Sequence, residues 1–309
     1  MHTYHFAPVQ GHTDAAYRHF HNKNYSLQPL NYHTPFIRLE KDAIRTKDLK
    51  DTFSDLNAPL HLTPQIIFRD SRELNSLVQS LKAKGEKEIN LNMGCPFPLQ
   101  PGHGRGAATI LNKELAEEIV KIVNDNPEVE FSVKMRLGLK DSDEWKTLLP
   151  YLNQLKLSFL AVHPRVAKQQ YGGDLHLDEF AALLNDSKNP IIFNGDLKYP
   201  DQIHEIFVKF PEIQGIMIGR GLLARPSLIL EYKEGSEWNK AKRIERVLKF
   251  HQDLYNHYSS VLCGDSQLIS KIQPFWEYSE EEIGRKAWKA IKKASNLAKY
   301  QTAIALIGN

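Results

Sequence analysis

The amino-acid sequence predicts an α/β protein, a (β/α)8 TIM barrel followed by a small all-helical C-terminal domain. Eight short, β-prone apolar runs recur between residues 4 and 218. Helix-like segments, whose apolar residues are three and four apart, lie between these runs. Such alternation is typical of a parallel sheet covered by helices, and eight units fit a closed barrel better than an open doubly wound sheet. No G-x-G-x-x-G pattern follows the first run, which also disfavours a dinucleotide-binding sheet.

The predicted barrel domain spans residues 1–230. Its strands, in chain order, are 4–7, 31–37, 60–67, 88–92, 131–136, 159–163, 190–194 and 215–218. Two of the intervening helices have especially clear periodicity, 71–84 and 113–124. Ser71 is the predicted N-cap of the first of these two helices because its hydroxyl can accept a hydrogen bond from the first turn.

Residues 231–309 are predicted to form a helical domain, because no segment after residue 238 resembles a strand. The predicted helices are 240–258, 267–276 and 280–300. The last is strongly amphipathic, since at 100° per residue its basic side chains fall within an arc of roughly 140°. These basic residues are Arg285, Lys286, Lys289, Lys292, Lys293 and Lys299. The opposite face carries Ala287, Ile291, Ala294 and Ala298.

The positive charge of the chain is concentrated in the predicted helical domain. The formal net charge is +3; residues 231–309 contain 13 Lys and Arg against 10 Asp and Glu, and the first 230 residues contain 27 of each. A local excess of positive charge indicates a polyanionic partner. The alternative is an ordinary solvated helix face, and charge alone leaves both interpretations open.

Composition disfavours several classes of protein. With two cysteines and no C-x-x-C or Cys/His cluster, we expect neither a disulfide framework nor a metal site. The chain opens without a basic segment followed by an apolar run, so we expect no signal peptide. No apolar stretch approaches the roughly 18 residues of a membrane span. We therefore expect a cytoplasmic protein without membrane contact. A monomer is compatible with the sequence, which does not determine the oligomeric state.

Cys95 lies where a predicted strand breaks. The strand 88–92 alternates polar and apolar residues and is followed by Gly94 and Pro96, both poor strand residues. A glycine-rich loop, 101–107, comes next. Loops at the ends of strands often carry the chemistry of α/β folds, so Cys95 is a candidate reactive thiol. The alternative is a small apolar cysteine packed in a turn.

Polar, basic or glycine residues follow nearly every predicted strand. In a (β/α)8 barrel these strand ends meet at the face that carries the active site. The strand ends carry Pro8, Val9, Gln10, Arg38, Glu40, Gln65, Asn92, Cys95, Lys134, Arg136, His163, Arg165, Asn194, Gly195, Asp196, Gly219 and Arg220. Taken singly, each residue fits an ordinary capped or ion-paired surface group. Together they predict a cationic mouth suited to an anionic ligand.

A phosphorylated cofactor fits this mouth. The loops after the seventh and eighth strands are the usual phosphate site of such barrels, and here they contain Gly195 and Gly219, which let backbone N–H groups approach a phosphate. Lys134 and His163 would lie near the ring system of such a cofactor, which suggests flavin mononucleotide (FMN). The reduced form of FMN requires a cation beside its N1/O2 edge. Cys95, on the neighbouring strand, would face a substrate above the flavin.

Several motifs in order resemble those of the bacterial-type tRNA-dihydrouridine synthases, FMN-dependent enzymes that reduce uridine in tRNA. They are A-P-V-Q-G-H-T-D at 7–14, N-M-G-C-P at 92–96, G-R-G-A-A at 104–108 with Leu111, K-M-R-L-G at 134–138, H-P-R at 163–165 with Tyr171, N-G-D at 194–196 and M-I-G-R-G at 217–221. Each motif alone is weak. The cysteine motif, K-M-R-L-G and M-I-G-R-G on successive predicted strands are specific in combination, and the resemblance covers nearly the whole chain.

The resemblance implies a mechanism and a division of roles. Hydride would pass from the flavin to C6 of the uracil, Cys95 would protonate C5 as general acid, and NADPH would re-reduce the flavin. The target uridine would have to leave the base stack. FMN would be held by Pro8, Val9, Gln10, Gln65, Lys134, His163, Asn194, Gly195, Asp196, Gly219 and Arg220. The uridine and the tRNA would be contacted by residues of the barrel and of the basic helix face. These are Arg38, Asn92, Arg136, Arg165, Tyr171, Lys271, Arg285, Lys289, Lys292 and Lys293.

The chain departs from the family pattern at several positions. Where many members carry a lysine or arginine shortly after the cysteine motif, this chain has F-P-L-Q at 97–100. Pro164 stands in place of a glycine, Val9 in place of a methionine, and the strand around Gln65 also differs. None of these changes removes the cysteine.

Two other functions remain open at this point. One is an FMN-dependent barrel oxidoreductase that acts on a small molecule, for which a basic helical domain has no evident use. The other is an RNA-binding barrel without activity, which the presence of Cys95, Lys134 and His163 disfavours.

Overall fold

The computed structural model describes residues 2–25 and 30–308. The strands are β1 (Thr3–Phe6), β2 (Asn31–His33), β3 (Leu39–Glu40), β4 (Ala43–Ile44), β5 (His61–Thr63), β6 (Gln65–Ile66), β7 (Glu88–Met93), β8 (Glu130–Gly138), β9 (Leu160–Val166), β10 (Ile191–Asn194) and β11 (Gly215–Ile218). The α-helices are α1 (Ala15–Tyr25), α2 (Thr46–Thr52), α3 (Ser71–Lys82), α4 (Lys113–Asn124), α5 (Trp145–Leu152), α6 (Leu177–Asp186), α7 (Pro200–Lys209), α8 (Arg220–Ala224), α9 (Leu228–Glu234), α10 (Lys240–Val261), α11 (Asp265–Ile272), α12 (Glu280–Ile283), α13 (Arg285–Lys293) and α14 (Leu297–Ile304). Short 3-10 helices lie at Asp55–Asn57, Pro101–His103, Gly106–Leu111, Ala167–Gln169 and Gln273–Trp276.

The parallel strands close into the predicted barrel. The sheet runs β5-β2-β1-β11-β10-β9-β8-β7-β6, so its two ends are β5 and β6. These are the halves of the third predicted strand, separated only by Pro64, which has no N–H to donate to a ladder. The Pro64 carbonyl still accepts a hydrogen bond from the Asn90 N–H at 2.9 Å. β5 and β6 therefore occupy the place of one strand, the third, whose hydrogen-bond ladder is interrupted at Pro64. The eight predicted units form one closed barrel.

The second predicted strand is shorter than expected. Regular pairing ends at His33, and Ile37 returns to the sheet through a single bridge to Ile66. A small antiparallel hairpin of β3 and β4 follows, which the sequence did not predict. Its turn residues Lys41 and Asp42 have φ of 51° and 64°, a conformation that is usually signalled by Asn-Gly or Asp-Gly rather than Lys-Asp.

Helix starts are set by side-chain caps. The predicted helix 113–124 has the observed bounds of α4, and the Asn112 side chain accepts a hydrogen bond from the Leu115 N–H. The prediction that Ser71 caps α3 is wrong. Asp70 is the N-cap, because its carboxylate accepts from the Glu73 N–H at 2.8 Å and Ser71 is already helical.

The interior of the barrel has a polar and an apolar part. Strand alternation brings Ala7, Phe159, Ala161, Ile192 and Met217 into one small apolar cluster, separate from the main core. The polar part includes His5 and His33, whose rings meet at 3.2 Å between Nδ1 and Nε2. Burial lowers the pKa of His5 to about 3 and that of His33 in the same direction, so both are neutral. The interior is thus filled rather than open.

The prediction of one long basic helix over 280–300 is wrong, because the segment forms three helices, α12, α13 and α14. Gly284 separates the first two with a φ of 85°, and Asn296 starts the third by accepting a hydrogen bond from the Lys299 N–H. Ala298, predicted on the apolar face, is exposed. The predicted helix 267–276 is also divided, into α11 and a 3-10 turn that contains Pro274.

The helical region packs directly against the barrel. The Phe250 ring of α10 is fully buried, with ring centroids 5.0 Å from Tyr17 of α1 and 5.1 Å from Phe275. The Tyr258 hydroxyl donates to the Asp14 carboxylate at 2.9 Å, and Lys271 forms an ion pair with the same carboxylate. One core cluster therefore includes residues of both regions. The division into 1–230 and 231–309 stays a prediction, and its boundary falls inside α9.

Within residues 2–25 and 30–308, no helix is both long and apolar enough to cross a membrane. The same residues contain no cluster of three or more His, Cys, Asp or Glu side chains that could hold a metal ion.

We expect Phe250→Ala to lower the free energy of unfolding by about 3–5 kcal/mol, because it opens a cavity where α10 meets α1. Urea unfolding followed by circular dichroism and by tryptophan fluorescence measures the change. Both probes should give one shared transition, since the core is contiguous. Val261→Ala, an exposed position of the same helix, should stay within about 0.5 kcal/mol of the wild type. Two separate transitions in the wild type would contradict the shared core.

Candidate active site

A cavity of about 840 Å³ opens at the carboxyl ends of the barrel strands. Its volume falls within the range typical of small-molecule and cofactor sites. Every barrel strand contributes a lining residue at its end. The lining includes all of the residues predicted to hold a cofactor: Pro8, Val9, Gln10, Gln65, Lys134, His163, Asn194, Gly195, Asp196, Gly219 and Arg220.

The predicted catalytic and substrate residues divide into two groups. Cys95 lines the cavity together with Arg38, Asn92, Arg136 and Tyr171. The remaining predicted substrate residues are not part of its lining, and they are Arg165, Lys271, Arg285, Lys289, Lys292 and Lys293. The second group comprises two side chains that have partners within the protein, Arg165 and Lys271, and four on the surface of α13.

A row of buried side chains positions the turn that carries Cys95. The Asn90 Nδ2 donates to Ser132 Oγ, and the Gln65 Nε2 donates to Asn90 Oδ1, each at 2.7 Å. The Asn92 Nδ2 donates in turn to Gln65 Oε1 at 2.7 Å. The row follows from strand register, which sets Gln65 beside Asn90 and Asn90 beside Ser132. We call these four side chains the amide row.

The amide row ends on the backbone of the cysteine turn. Asn92 Oδ1 accepts from the N–H groups of Gly94 at 3.2 Å and Cys95 at 3.0 Å. These two donors would otherwise have no strand partner after β7 ends at Met93. Asn92 therefore acts first as the local cap that fixes where the Cys95 side chain begins.

Two glycines allow the turn to pack closely. A Cβ on Gly94 would lie 2.9 Å from the Met135 carbonyl carbon, so only glycine lets β7 end against β8 at this point. Gly106 has a φ of 60°, and a Cβ there would lie 2.8 Å from the Cys95 carbonyl oxygen. The glycine-rich loop thus packs directly on the cysteine turn.

The Cys95 thiol is partly buried and held in its protonated form. Burial raises its pKa above the ordinary value, and it outweighs the opposing effects of the Phe97 backbone N–H and of the Lys134 and Arg136 charges. The thiol at neutral pH is therefore neutral, which suits a proton donor rather than a nucleophile.

Lys134 and Arg136 place uncompensated positive charge on the cavity wall. Burial, with the nearby Arg136 charge, lowers the pKa of Lys134 to about 8. Burial likewise lowers the pKa of Arg136 to about 10, so both are mainly charged at pH 7. No carboxylate among the described residues forms an ion pair with either of them. The arrangement favours an anionic ligand that supplies the missing charge.

His163 is a neutral hydrogen-bonding group in this wall. Burial, followed by the charges of Arg136, Lys134 and Arg165, lowers its pKa well below the ordinary value. The Arg165 Nη1 lies 3.2 Å from His163 Nε2. Since a guanidinium can only donate, Nε2 accepts and the proton resides on Nδ1. The neutral ring can therefore donate one hydrogen bond through Nδ1.

Arg165 supports the site from behind rather than facing it. Its buried guanidinium donates to the carbonyls of Gly172 and Gly173, to His163 and to the Asp196 carboxylate. All of its donor groups thus have partners inside the protein. A substrate contact by Arg165 stays a prediction; in the structure its guanidinium lies against His163 and the loop after β10.

The loops after β10 and β11 meet closely at one side of the mouth. The Asp196 carboxylate also accepts from Arg220 at 3.3 Å, and the Arg220 guanidinium lies 3.9 Å from the centre of the Tyr171 ring. A Cβ on Gly221 would lie 1.9 Å from the Leu197 carbonyl oxygen, so glycine is required for this approach. The predicted phosphate-binding loops are therefore adjacent.

The sequence did not identify several residues that line the cavity. Arg45 comes from the segment after the unpredicted hairpin, and Lys240 and Arg243 come from the start of α10. Tyr278 follows the 3-10 turn of the helical region. No motif marks these positions, because they reach the mouth only through the packing of the helical region on the barrel.

The predicted tRNA-contacting residues of the helical region lie in two different settings. Lys271 is engaged with Asp14 and lies 5.2 Å from the centre of the Tyr258 ring, at the contact with the barrel. The α13 cations are all exposed, and no described carboxylate forms an ion pair with them: Arg285, Lys286, Lys289, Lys292 and Lys293. These five residues form the basic surface of α13.

Known proteins are similar to this chain in sequence and fold. The family model described as "Dihydrouridine synthase (Dus)" matches residues 5–304. A "Probable tRNA-dihydrouridine synthase" of Staphylococcus epidermidis is 29% identical over 261 residues, which cover 82% of this chain and 77% of that protein. A "Probable tRNA-dihydrouridine synthase 2" of Bacillus subtilis is 28% identical over 269 residues, covering 82% and 78%. Among solved structures, "Morphinone reductase" matches with a TM-score of 0.55 and 12% identity over 77% of this chain and 87% of that one, a likeness of fold.

We expect Gly106→Ala to displace the Cys95 turn and Gly104→Ala to leave it in place. Both glycines have positive φ, so each alanine costs about 1–2 kcal/mol of strain. Only the Gly106 Cβ meets Cys95, since the nearest atom to a Gly104 Cβ is 3.8 Å away. Iodoacetamide labelling of Cys95, in a Cys263→Ser background that removes the exposed thiol, should change several-fold in the first variant only. Equal labelling rates would contradict this packing role.

Proposed function

The chain belongs to the dihydrouridine synthase family, and on this basis we propose that it is a tRNA-dihydrouridine synthase that uses FMN and NADPH. The proposed reaction is reduction of the C5=C6 bond of a uridine in tRNA. The observation that carries the proposal is the position of the Cys95 thiol. The thiol is neutral, and the turn that carries it is held by the amide row. It lies in the same cavity as Lys134, which has no carboxylate partner among the described residues, and as the loops that contain Gly195 and Gly219.

The lining of the cavity fits FMN. Gly195, Asp196, Gly219 and Arg220 offer backbone N–H groups and a guanidinium for its phosphate. The other proposed contacts, which surround the ring system, are Pro8, Val9, Gln10, Gln65, Lys134, His163 and Asn194. Lys134 supplies a cation and His163 Nδ1 a neutral donor, while Ala7 and Met217 offer apolar surface. When bound, the flavin supplies the hydride for C6 of the uracil.

Cys95 is the proposed proton donor for C5. A general acid must be protonated before the reaction and close to the atom that it serves. The raised pKa satisfies the first condition, and the amide row supports the second by fixing the turn. The adjacent Lys134 and Arg136 charges then stabilise the thiolate that proton transfer leaves behind.

The uracil has several candidate contacts. Asn92 Oδ1 accepts two hydrogen bonds from backbone N–H groups, and Asn92 Nδ2 donates one of its two protons to Gln65. The second Nδ2 proton is therefore left to donate to a uracil carbonyl. Arg38, Arg136 and Tyr171 line the same cavity and are proposed to contact the uridine or its phosphates. We propose that Arg165 acts indirectly, by orienting His163.

The basic surface of α13 favours tRNA over a small-molecule substrate. Exposed cations without carboxylate partners are suited to phosphate contacts that position a nucleic acid. We propose that Arg285, Lys289, Lys292 and Lys293 make such contacts. Lys271 is instead proposed to hold the helical region against the barrel through Asp14.

We expect Cys95→Ala to abolish uridine reduction while flavin binding and NADPH oxidation persist, because only the proton donor is lost. The test supplies purified protein with NADPH and tRNA from cells that lack this gene, and dihydrouridine is then counted by mass spectrometry. Cys263→Ser, at an exposed cysteine outside the cavity, should behave as the wild type. A wild-type protein that binds no flavin, or that adds no dihydrouridine to this tRNA, would contradict the proposed function. Loss of flavin in Cys95→Ala would make the cysteine structural.

We expect FMN affinity to fall as the pH rises through about 8. Burial lowers the pKa of Lys134 to about 8, so the lysine loses its charge in this range. Below that pH the charged lysine favours the anionic ligand; above it affinity should drop by up to about tenfold per pH unit. Fluorescence titration between pH 6.5 and 9.5 measures this. Lys134→Met should bind more weakly at pH 7 and lose the dependence, whereas Lys140→Met, an exposed position outside the cavity, should retain it. A flat wild-type profile would refute the assignment.

A further inference from the structure

The loop that follows Cys95 presents two apolar side chains to solvent at the cavity mouth. Phe97 is 59% exposed and Leu99 is 60% exposed, and both line the mouth. From Pro96 to Gly104 the loop carries no lysine, arginine or carboxylate. Exposed apolar side chains occur singly on most protein surfaces, but two on one loop at the mouth of a polar, cationic cavity are typical of an interaction site.

We propose that Phe97, supported by Leu99, is a base-stacking residue that packs against a nucleobase next to the extruded uridine. This inference rests on the proposed RNA substrate and assigns it a contact at the mouth of the cavity, outside the uridine position. Extruding a base breaks its stacking on both neighbours, which costs a few kcal/mol in the nucleic acid. An apolar ring two residues from Cys95 is placed to replace part of that lost stacking.

The loop is organised to hold Phe97 in place before the substrate arrives. Pro96, Pro98 and Pro101 fix three backbone φ angles within six residues. The Gln100 N–H donates to the Phe97 carbonyl at 2.8 Å, and the Gly102 N–H donates to the Pro98 carbonyl at 3.0 Å. A loop backbone that is already fixed loses little entropy on binding, so the contact surface of Phe97 contributes more fully to affinity.

A buried ion pair anchors the far end of the same loop. The Arg105 guanidinium contacts Glu73 Oε1 at 2.6 Å, and the Arg105 N–H donates to the Gln100 carbonyl at 2.9 Å. Gly106 then packs on Cys95, as described above. The loop is therefore fixed both at the cysteine and at α3, and Phe97 lies between two anchored points.

The charges of the cavity that Phe97 lines favour a nucleobase as the occupant of Phe97. Arg38, Lys134 and Arg136 line the same cavity, and no described carboxylate forms an ion pair with them. Aromatic side chains beside free cations are typical of sites for unpaired nucleotides, where bases stack and phosphates meet positive charge. The whole lining carries nine Lys and Arg side chains against four Asp and Glu side chains, so a second copy of this face would bring an excess of like charge together, which disfavours self-association through Phe97.

Binding of unmodified, transcribed tRNA at several salt concentrations tests the proposal. Phe97→Ala should weaken binding about tenfold or more at every salt concentration, because base stacking is lost while phosphate contacts are kept. The slope of log affinity against log salt should be unchanged. Phe97→Trp should bind as tightly as the wild type. Lys292→Ala, a comparison on the basic surface of α13, should reduce the salt slope instead.

Phe53→Ala is the matched control, because Phe53 is 37% exposed and is not part of the cavity lining. It should bind tRNA as the wild type does. Wild-type affinity in Phe97→Ala, or a changed salt slope, would overturn the proposal. So would light scattering that shows a wild-type dimer and a Phe97→Ala monomer. Binding is measured without turnover, so a wild-type protein that binds tRNA but reduces no uridine would refute the proposed activity while the Phe97 comparison still decides the stacking role.

Discussion

The position of the Cys95 thiol depends on the amide row, the four hydrogen-bonded side chains that run from Ser132 to the turn after β7. Each member is buried and each uses its neighbour as a partner, so removing one leaves a buried polar atom of its neighbour without a hydrogen bond. Parallel strand register creates the row, because it sets polar residues of adjacent strands side by side. The barrel thus transmits its regular geometry to an irregular turn through side chains rather than through backbone pairing.

The same wall holds positive charge that the protein itself does not neutralise. Lys134 and Arg136 are largely withdrawn from solvent and form no ion pair with a described carboxylate, while the neighbouring His163 stays neutral. Holding unpaired charge in such a place costs stability in the free protein. Binding of an anion reverses that cost, so part of the affinity for the ligand is already stored in the fold.

The barrel and much of the cavity could be predicted from sequence because both follow from strand periodicity. Apolar runs identify the strands, and residues at the ends of the strands must reach one face, which is why Gln65 and Asn194 could be assigned to the cavity.

The orientation of Arg165 could not be predicted, since its burial depends on the loop that folds over it. Lys271 pairs with Asp14, far away in sequence, and Lys240 reaches the mouth only through tertiary packing. The break at Gly284 was missed because a single glycine within a helical pattern costs only about 1 kcal/mol and is often tolerated.

Asp14 lies in the segment between β1 and α1, yet it holds both Tyr258 and Lys271 of the helical region. With the shared core, this contact fixes the distance between the basic surface of α13 and the cavity mouth. A stiff, folded polyanion that touches both places must match that span. For the proposed tRNA substrate, this fixed span, rather than the chemistry at the cysteine, would select the nucleotide that enters the barrel.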